Sequence, residues 1–154
     1  MLSEKYREYQ SEVHPDRFAN SDENEKLIAV QRSSLLNEAY STLKSPLKRA
    51  GYLLVLKQKD IEKVDQSDLG MDLLLEQIEL REALDQLPND ESSLSELERL
   101  KSEVKDKLNN SHQSFTLKFD KEDFDGAKKI YHELQFLYKL LAEIELGEEK
   151  RLGY

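Results

Sequence analysis

Ser11-Glu12-Val13-His14-Pro15-Asp16-Arg17-Phe18, SEVHPDRF, sets an imidazole, a pyrrolidine ring and a carboxylate in a row near the start of the chain. The chain on both sides of it reads as helix. Before it, Leu2, Tyr6, Tyr9 and Val13 recur at spacings of four, three and four, one helical stripe from Leu2 to Val13. Pro15 must end that helix, because its ring clashes with the preceding turn and it offers no N–H. After it, Asn20 with Glu23, or Ser21, supplies an N-cap. The helix so begun is predicted from about Asp22 to Leu43, with Ile28, Leu35, Leu36, Ala39 and Leu43 facing inward. Ser45-Pro46 restarts the chain as cap and first helical residue, and Leu47, Ala50, Leu53 and Leu54 carry a short helix to about Leu56. His14-Pro15-Asp16 is therefore predicted at the exposed tip of a helical hairpin.

The rest of the composition agrees with an all-α protein. The chain has 154 residues, one or two small domains by size, with 36% charged and 38% hydrophobic residues, so its cores must be thin. Glu, Lys, Leu and Gln dominate, there is no Trp, and only 5 Gly and 3 Pro interrupt the helix formers. No run approaches the roughly twenty apolar residues that cross a bilayer. The opening MLSEKYREYQ has neither a signal peptide's apolar centre nor the acid-free, Arg-rich character of a transit peptide, so a soluble, cytoplasmic protein is expected. Zero cysteine excludes disulfides, thiolate iron–sulfur ligation and Cys-based zinc sites. No cofactor is expected.

A net charge of −9 argues against nucleic acid, whose binding rests on neutralising phosphates with Lys and Arg. The charge is unevenly spread. Residues 1–57 carry nine Lys/Arg against eight Asp/Glu, and residues 58–154 carry fourteen against twenty-four, for nets of +1 and −10. Two modules with different partners are expected: residues 1–56, a linker at 57–70 anchored only by Ile61, Val64 and Leu69, and residues 71–154.

The second module reads as three helices. The first, about Met71 to Leu87, has Leu73, Leu80, Leu84 and Leu87 on one heptad stripe. The second follows Pro88 with a capping box from Ser93 to Glu96 and carries Leu94, Leu97, Leu100, Val104, Leu108 and Phe115. The third begins near Asp120 with Ala127, Ile130, Leu134, Leu137, Leu141 and Ile144. Such stripes with short connections predict an antiparallel three-helix bundle. Left over are Leu74, Leu75 and Ile78, flanked by Glu79 and Glu82, and on the third helix Phe136 and Leu140. A bundle helix needs one buried face. Extra large apolar residues rimmed by carboxylates are a partner surface, a wider core face or a contact with the first module.

The tripeptide is a poor catalytic dyad: a rigid Pro separates His14 from Asp16, and no nucleophile or orienting group is identifiable nearby. It is a poorer metal site, because the three His (His14, His112, His132) have no ligand spacing and there is no Cys. A plain turn and a surface read by another protein remain. Three given residues in order arise by chance in about one chain of this size in a hundred, so the setting must carry the weight. A helical hairpin with HPD at its tip resembles a J domain.

The resemblance narrows further. The run Ser33-Ser34-Leu35-Leu36-Asn37-Glu38-Ala39-Tyr40-Ser41-Thr42-Leu43-Lys44-Ser45-Pro46-Leu47-Lys48-Arg49-Ala50-Gly51-Tyr52-Leu53-Leu54 is similar, almost position by position, to the HscB family of J-domain co-chaperones of iron–sulfur cluster biogenesis. Leu74-Leu75-Glu76-Gln77-Ile78-Glu79-Leu80-Arg81-Glu82-Ala83-Leu84 resembles that family's second-domain signature, and the likeness runs along nearly the whole chain. It implies a non-enzymatic co-chaperone. His14, Pro15 and Asp16, with Lys5, Arg7 and Arg17, would meet a DnaK/HscA-type chaperone and stimulate its ATPase. Leu74, Leu75, Ile78, Glu79, Glu82 and Phe136 would hold the IscU-type scaffold protein. The chain departs from the pattern twice. Only thirteen residues precede His14, so the J domain's first helix is expected to be absent, and Ser11 and Glu12 stand where J domains usually carry basic residues. The rival readings are a general J-domain co-chaperone for unfolded clients, a structural helical adaptor, and a hydrolase using His14 and Asp16.

Overall fold

The computed structural model describes residues 1–63 and 70–153, and among them all regular structure is helical. The α-helices are α1 (Leu2–Val13), α2 (Glu23–Lys44), α3 (Pro46–Leu56), α4 (Met71–Asp85), α5 (Leu94–Asp120) and α6 (Phe124–Arg151). Short 3-10 turns lie at Pro15–Phe18 and Glu91–Ser93. The chain divides into two compact units, Met1–Tyr52 and Leu53–Tyr154, with the division inside α3. Of the expected linker anchors, Val64 and Leu69 lie outside the described residues.

The first unit is the hairpin of α1 and α2, and its seam is more polar than the apolar stripe predicts. Tyr6 stacks on Tyr40 with ring centroids 4.1 Å apart and donates its hydroxyl hydrogen to Asn37 Oδ1. One turn further on, Gln10 Nε2 donates to Ser33 Oγ at 3.1 Å. Within α2 only Ala29 and Ser33 are buried. Leu35 is 68% exposed, Ile28, Ala39 and Leu43 are also exposed, and of the five residues expected inward only Leu36 is half-buried. The buried positions of α2 are thus small residues, and stacked Tyr rings and side-chain hydrogen bonds join the two helices beside them. Tyr9 is likewise exposed, and Gln10 takes its place on the inner face. Asp22, rather than Asn20 or Ser21, caps α2, accepting from Glu25 N–H at 2.8 Å. Ser45 caps α3 as expected, with Lys48 N–H on its hydroxyl at 3.3 Å.

The second unit is a bundle centred on the long pair α5 and α6. Leu97, Val104, Leu134 and Ile144 are fully buried, with Leu100, Leu108, Phe115, Ala127 and Leu137 nearly so. Contacts at both ends show the two helices antiparallel: Lys101 pairs with Glu148, and Lys118 lies 3.4 Å from Asp123 in the reversal. That reversal takes three residues. Asp123 N–H bonds Lys118 O and Glu122 N–H bonds Phe119 O, with Glu122 at φ +62, so α5 ends in a Schellman motif without its usual glycine. Asp123 then caps α6, accepting from Gly126 N–H at 3.0 Å. The predicted Ser93–Glu96 capping box does not form. Ser93 is buried and its hydroxyl donates to Pro88 O at 2.6 Å while accepting from Arg151 Nε at 2.7 Å, and Asp90 caps the preceding turn instead. Arg151 thereby fastens the end of α6 to the α4–α5 connection, which it also reaches through Pro88 O at 2.9 Å.

Candidate functional site

The tip of the first hairpin is built by Pro15. His14 caps the end of α1 in an extended conformation, φ −59 and ψ 132, the region a residue before proline must occupy. Pro15 opens the 3-10 turn, where its fixed φ and missing N–H cost nothing. Asp16 N–H donates to His14 Nδ1 at 3.2 Å, so the neutral imidazole keeps its hydrogen on Nε2. The Asp16 carboxylate, 3.6 Å from Nδ1, is 93% exposed and the imidazole 48%. Arg17 binds the tip to α1 through its guanidinium on Ser11 O at 3.3 Å and its N–H on His14 O at 3.0 Å. Arg7 lies on the Ser11 edge of α1, four residues back. Lys5, two residues before Arg7, diverges from it by about 200° around the helix. The structure thus brings Arg7, Arg17 and the tripeptide to one edge and sets Lys5 apart from them. Among the described residues no His, Asp and Glu cluster could hold a metal ion.

The second candidate surface is on α4, whose four edges have different duties. Leu73, Leu80 and Leu84, with Leu87 just past the end of α4, are on the core side, Leu80 buried and the others half-buried. The opposite face presents Leu75, 50% exposed, and Ile78, 52% exposed, with Glu79 and Glu82 beside them in solvent. Leu74, half-buried, shares an edge with Arg81, which ion-pairs with Glu143 of α6. Glu76 is on the other edge and pairs with Lys107 of α5. Phe136 is half-buried on α6. Two short reversals make α4 and α6 parallel, and Leu74 and Phe136 each precede one partner of the Arg81–Glu143 pair by seven residues. Seven residues are two helical turns, about 10 Å, on the same edge. Leu74 and Phe136 are therefore level with each other on the two helices.

Residues 69–145 match the family model of the HSCB C-terminal oligomerisation domain. The chaperone HscB from Vibrio cholerae is 32% identical across 97% of this chain and 87% of its own, with a TM-score of 0.85. The human co-chaperone protein HscB is 30% identical across 94% of this chain and 71% of its own, with a TM-score of 0.84. This chain belongs to the HscB family.

In this HscB-family bundle the expected core stripe of α6 is corrected. Leu140, placed by periodicity with Phe136 outside the seam, is 1% exposed and part of the core. Tyr131 is buried where Ile130 was expected, while Ile130 and Leu141 are half-buried, because a helix packed on two neighbours buries a wider arc than one heptad stripe. The periodicity did find the exposed pair Leu75 and Ile78.

The carboxylates of α4 divide in the same way. Glu76 is taken by Lys107, and Asp85 lies 3.6 Å from Arg81. Among the described residues Glu79 and Glu82 have no hydrogen-bond or ion-pair partner, so their charge is available to a ligand. The hydrogen bond from Lys107 to Glu76 raises the lysine's pKa and keeps it charged. Burial, then the neighbouring Glu76 charge, pushes the Glu133 carboxyl up. No helix among the described residues is long and apolar enough to cross a membrane.

Proposed function

We propose that this HscB-family co-chaperone stimulates the ATPase of a DnaK/HscA-type chaperone through His14-Pro15-Asp16 and delivers to it an IscU-type iron–sulfur scaffold protein held on α4 and α6. The chain does no chemistry itself. The observation that carries the reading is the outer face of α4: two half-exposed aliphatic side chains beside two unpaired carboxylates, on a helix whose other face is already in the core. Leu75 and Ile78 are knobs for an apolar pocket. Glu79 and Glu82 steer and select a basic rim. Glu82, Glu79 and Ile78 cluster within one turn, and Leu74 with Phe136 extends the surface onto α6.

The J-type hairpin, which we assign to residues 1–56, presents the tripeptide at an exposed, proline-stiffened tip, with Arg7 and Arg17 on the same edge to meet an acidic chaperone surface and Lys5 on another side of α1. The tip works by binding the hydrolysis-competent state of the chaperone better than the resting state, the only way a ligand shifts such an equilibrium. Carrying both surfaces on one chain raises the effective concentration of scaffold beside chaperone.

The test is steady-state ATP hydrolysis by a DnaK/HscA-type chaperone, with this protein and the scaffold added singly and together. Stimulation greater than the sum of the two is expected, and His14→Gln should abolish this protein's share while leaving scaffold affinity unchanged. Loss of scaffold affinity in His14→Gln would sink the division into two surfaces. Equal stimulation by an unfolded polypeptide in place of the scaffold would point to a general J-domain co-chaperone.

A further inference from the structure

The proposed scaffold surface is composite: its aliphatic pair is on α4 and its aromatic residue on α6, so its shape depends on the register of one helix against the other. Hydrophobic contact defines that register weakly. Within α4 only Leu80 is buried, with Leu73 and Leu84 half-buried, so few apolar contacts oppose a shift of one turn. What distinguishes the observed register is polar. Arg81 donates through Nη1 to Glu143 Oε2 of α6 and has its Nε 3.6 Å from Asp85 on its own helix, and Glu76 pairs with Lys107 of α5. One link goes to each neighbouring helix, from opposite edges of α4.

We propose that Arg81 and Glu143 are positioning residues that pin α4 to α6 in the register at which Leu74, Leu75 and Ile78 meet Phe136 as one docking surface. The inference rests on the scaffold-binding reading above for its functional consequence, but the pin itself is a property of the free protein. Arg81 is suited to the task because its planar guanidinium holds a carboxylate in fixed geometry, while Asp85 limits its rotation. The pair is partly exposed, with 47% of the Arg81 side chain and 30% of the Glu143 side chain accessible. Its contribution to overall stability is therefore small, and its effect is on the choice between near-equal packings. A slip by one turn moves Leu75 along α6 by about 5 Å, which removes Phe136 from the surface while leaving the fold intact.

Two measurements test this, and they fail separately. The chain has no cysteine, so Asp72→Cys with Lys139→Cys, both at exposed positions, accepts one spin label on α4 and one on α6. A single narrow interlabel distance is expected in the otherwise unchanged protein. In Arg81→Ala and in Glu143→Ala the distribution should broaden or gain a second component displaced by up to about 5 Å. The second measurement is the affinity for a purified IscU-type scaffold protein. Each single change should weaken binding about tenfold, the scale of losing one central aromatic contact. The double change should be no worse than either single one, and Phe136→Ala should have little further effect in the Arg81→Ala background. An unchanged distance distribution in both single variants would overturn the pin whatever the binding result. Weakened binding in Arg81→Ala alone, with Glu143→Ala like wild type, would also overturn it, by making Arg81 a direct contact. If the unmodified protein does not bind the scaffold, the functional reading fails, and the distance measurement still decides the pin.

Discussion

Two leucines on neighbouring helices show what exposure does to the cost of a substitution. Leu140 is 1% exposed and Leu75 is 50% exposed. Leu140→Ala removes buried methylenes and leaves a cavity, for an expected loss of about 2–5 kcal/mol. Leu75→Ala leaves no cavity and should change stability by less than about 1 kcal/mol. Thermal unfolding should therefore separate them clearly, while binding to the scaffold protein should rank them in the reverse order, with Leu75→Ala the weaker binder. Comparable melting losses would place Leu75 in the core and remove it from the docking surface. At the hairpin tip, Pro15 restricts His14 to extended backbone and thereby lets Asp16 N–H reach the imidazole. The proline that stops α1 also orients the residue before it.

The α5–α6 reversal is where single elements show their internal logic. Glu122 occupies a left-handed conformation at φ +62, where a side chain is strained and glycine is not. Glu122→Gly is expected to stabilise the bundle by about 0.5–1 kcal/mol, read as a rise in melting temperature. Four residues on, the usual preference inverts. Alanine is ordinarily the better helix former, but a Cβ at Gly126 would lie 2.5 Å from the Asp123 carboxylate that caps the helix, so Gly126→Ala should bring no gain. Asp123 itself carries a pH signature. The Gly126 N–H, then Lys118, holds its carboxyl below its ordinary pKa. A carboxyl lowered in the folded state contributes stability that is present above its unfolded pKa and lost as pH falls through the folded one. The melting-temperature difference between wild type and Asp123→Ala should thus be largest near neutrality and shrink between about pH 5 and pH 2. A difference that stays constant over that range would mean the carboxylate's charge has no part in the cap.

Charge acts on the molecule as a whole. The +1 of residues 1–57 and the −10 of residues 58–154 give the two surfaces different long-range fields. Association with the scaffold protein, driven by the acidic half, should slow as salt rises from low to physiological ionic strength, with the dissociation rate little changed, since the apolar contacts are not screened. Stopped-flow association and dissociation rates over a salt series check this. A salt effect confined to dissociation would mean that Glu79 and Glu82 act in the bound complex and do not steer the encounter.

The sequence alone determined the helices. Their number, order and approximate ends follow from Pro15, Pro46 and Pro88, from the scarcity of glycine and from leucine periodicity, because these act through local sterics and a fixed 3.6-residue repeat. The same repeat singled out Leu75 and Ile78, which lie off the heptad stripe that α4 turns to the core. Tertiary structure decided everything that depends on what stands opposite a side chain. It drew Leu140 into the core and left Ile28 and Leu35 in solvent, because the width of a buried arc is set by the number of neighbouring helices. It gave Ser93 to Arg151 in place of a capping box, and it reserved Glu76 for Lys107 while leaving Glu79 and Glu82 unpaired. Partners brought together from 31 to 62 residues away, as in Glu76–Lys107 and Arg81–Glu143, leave no periodic trace in the chain.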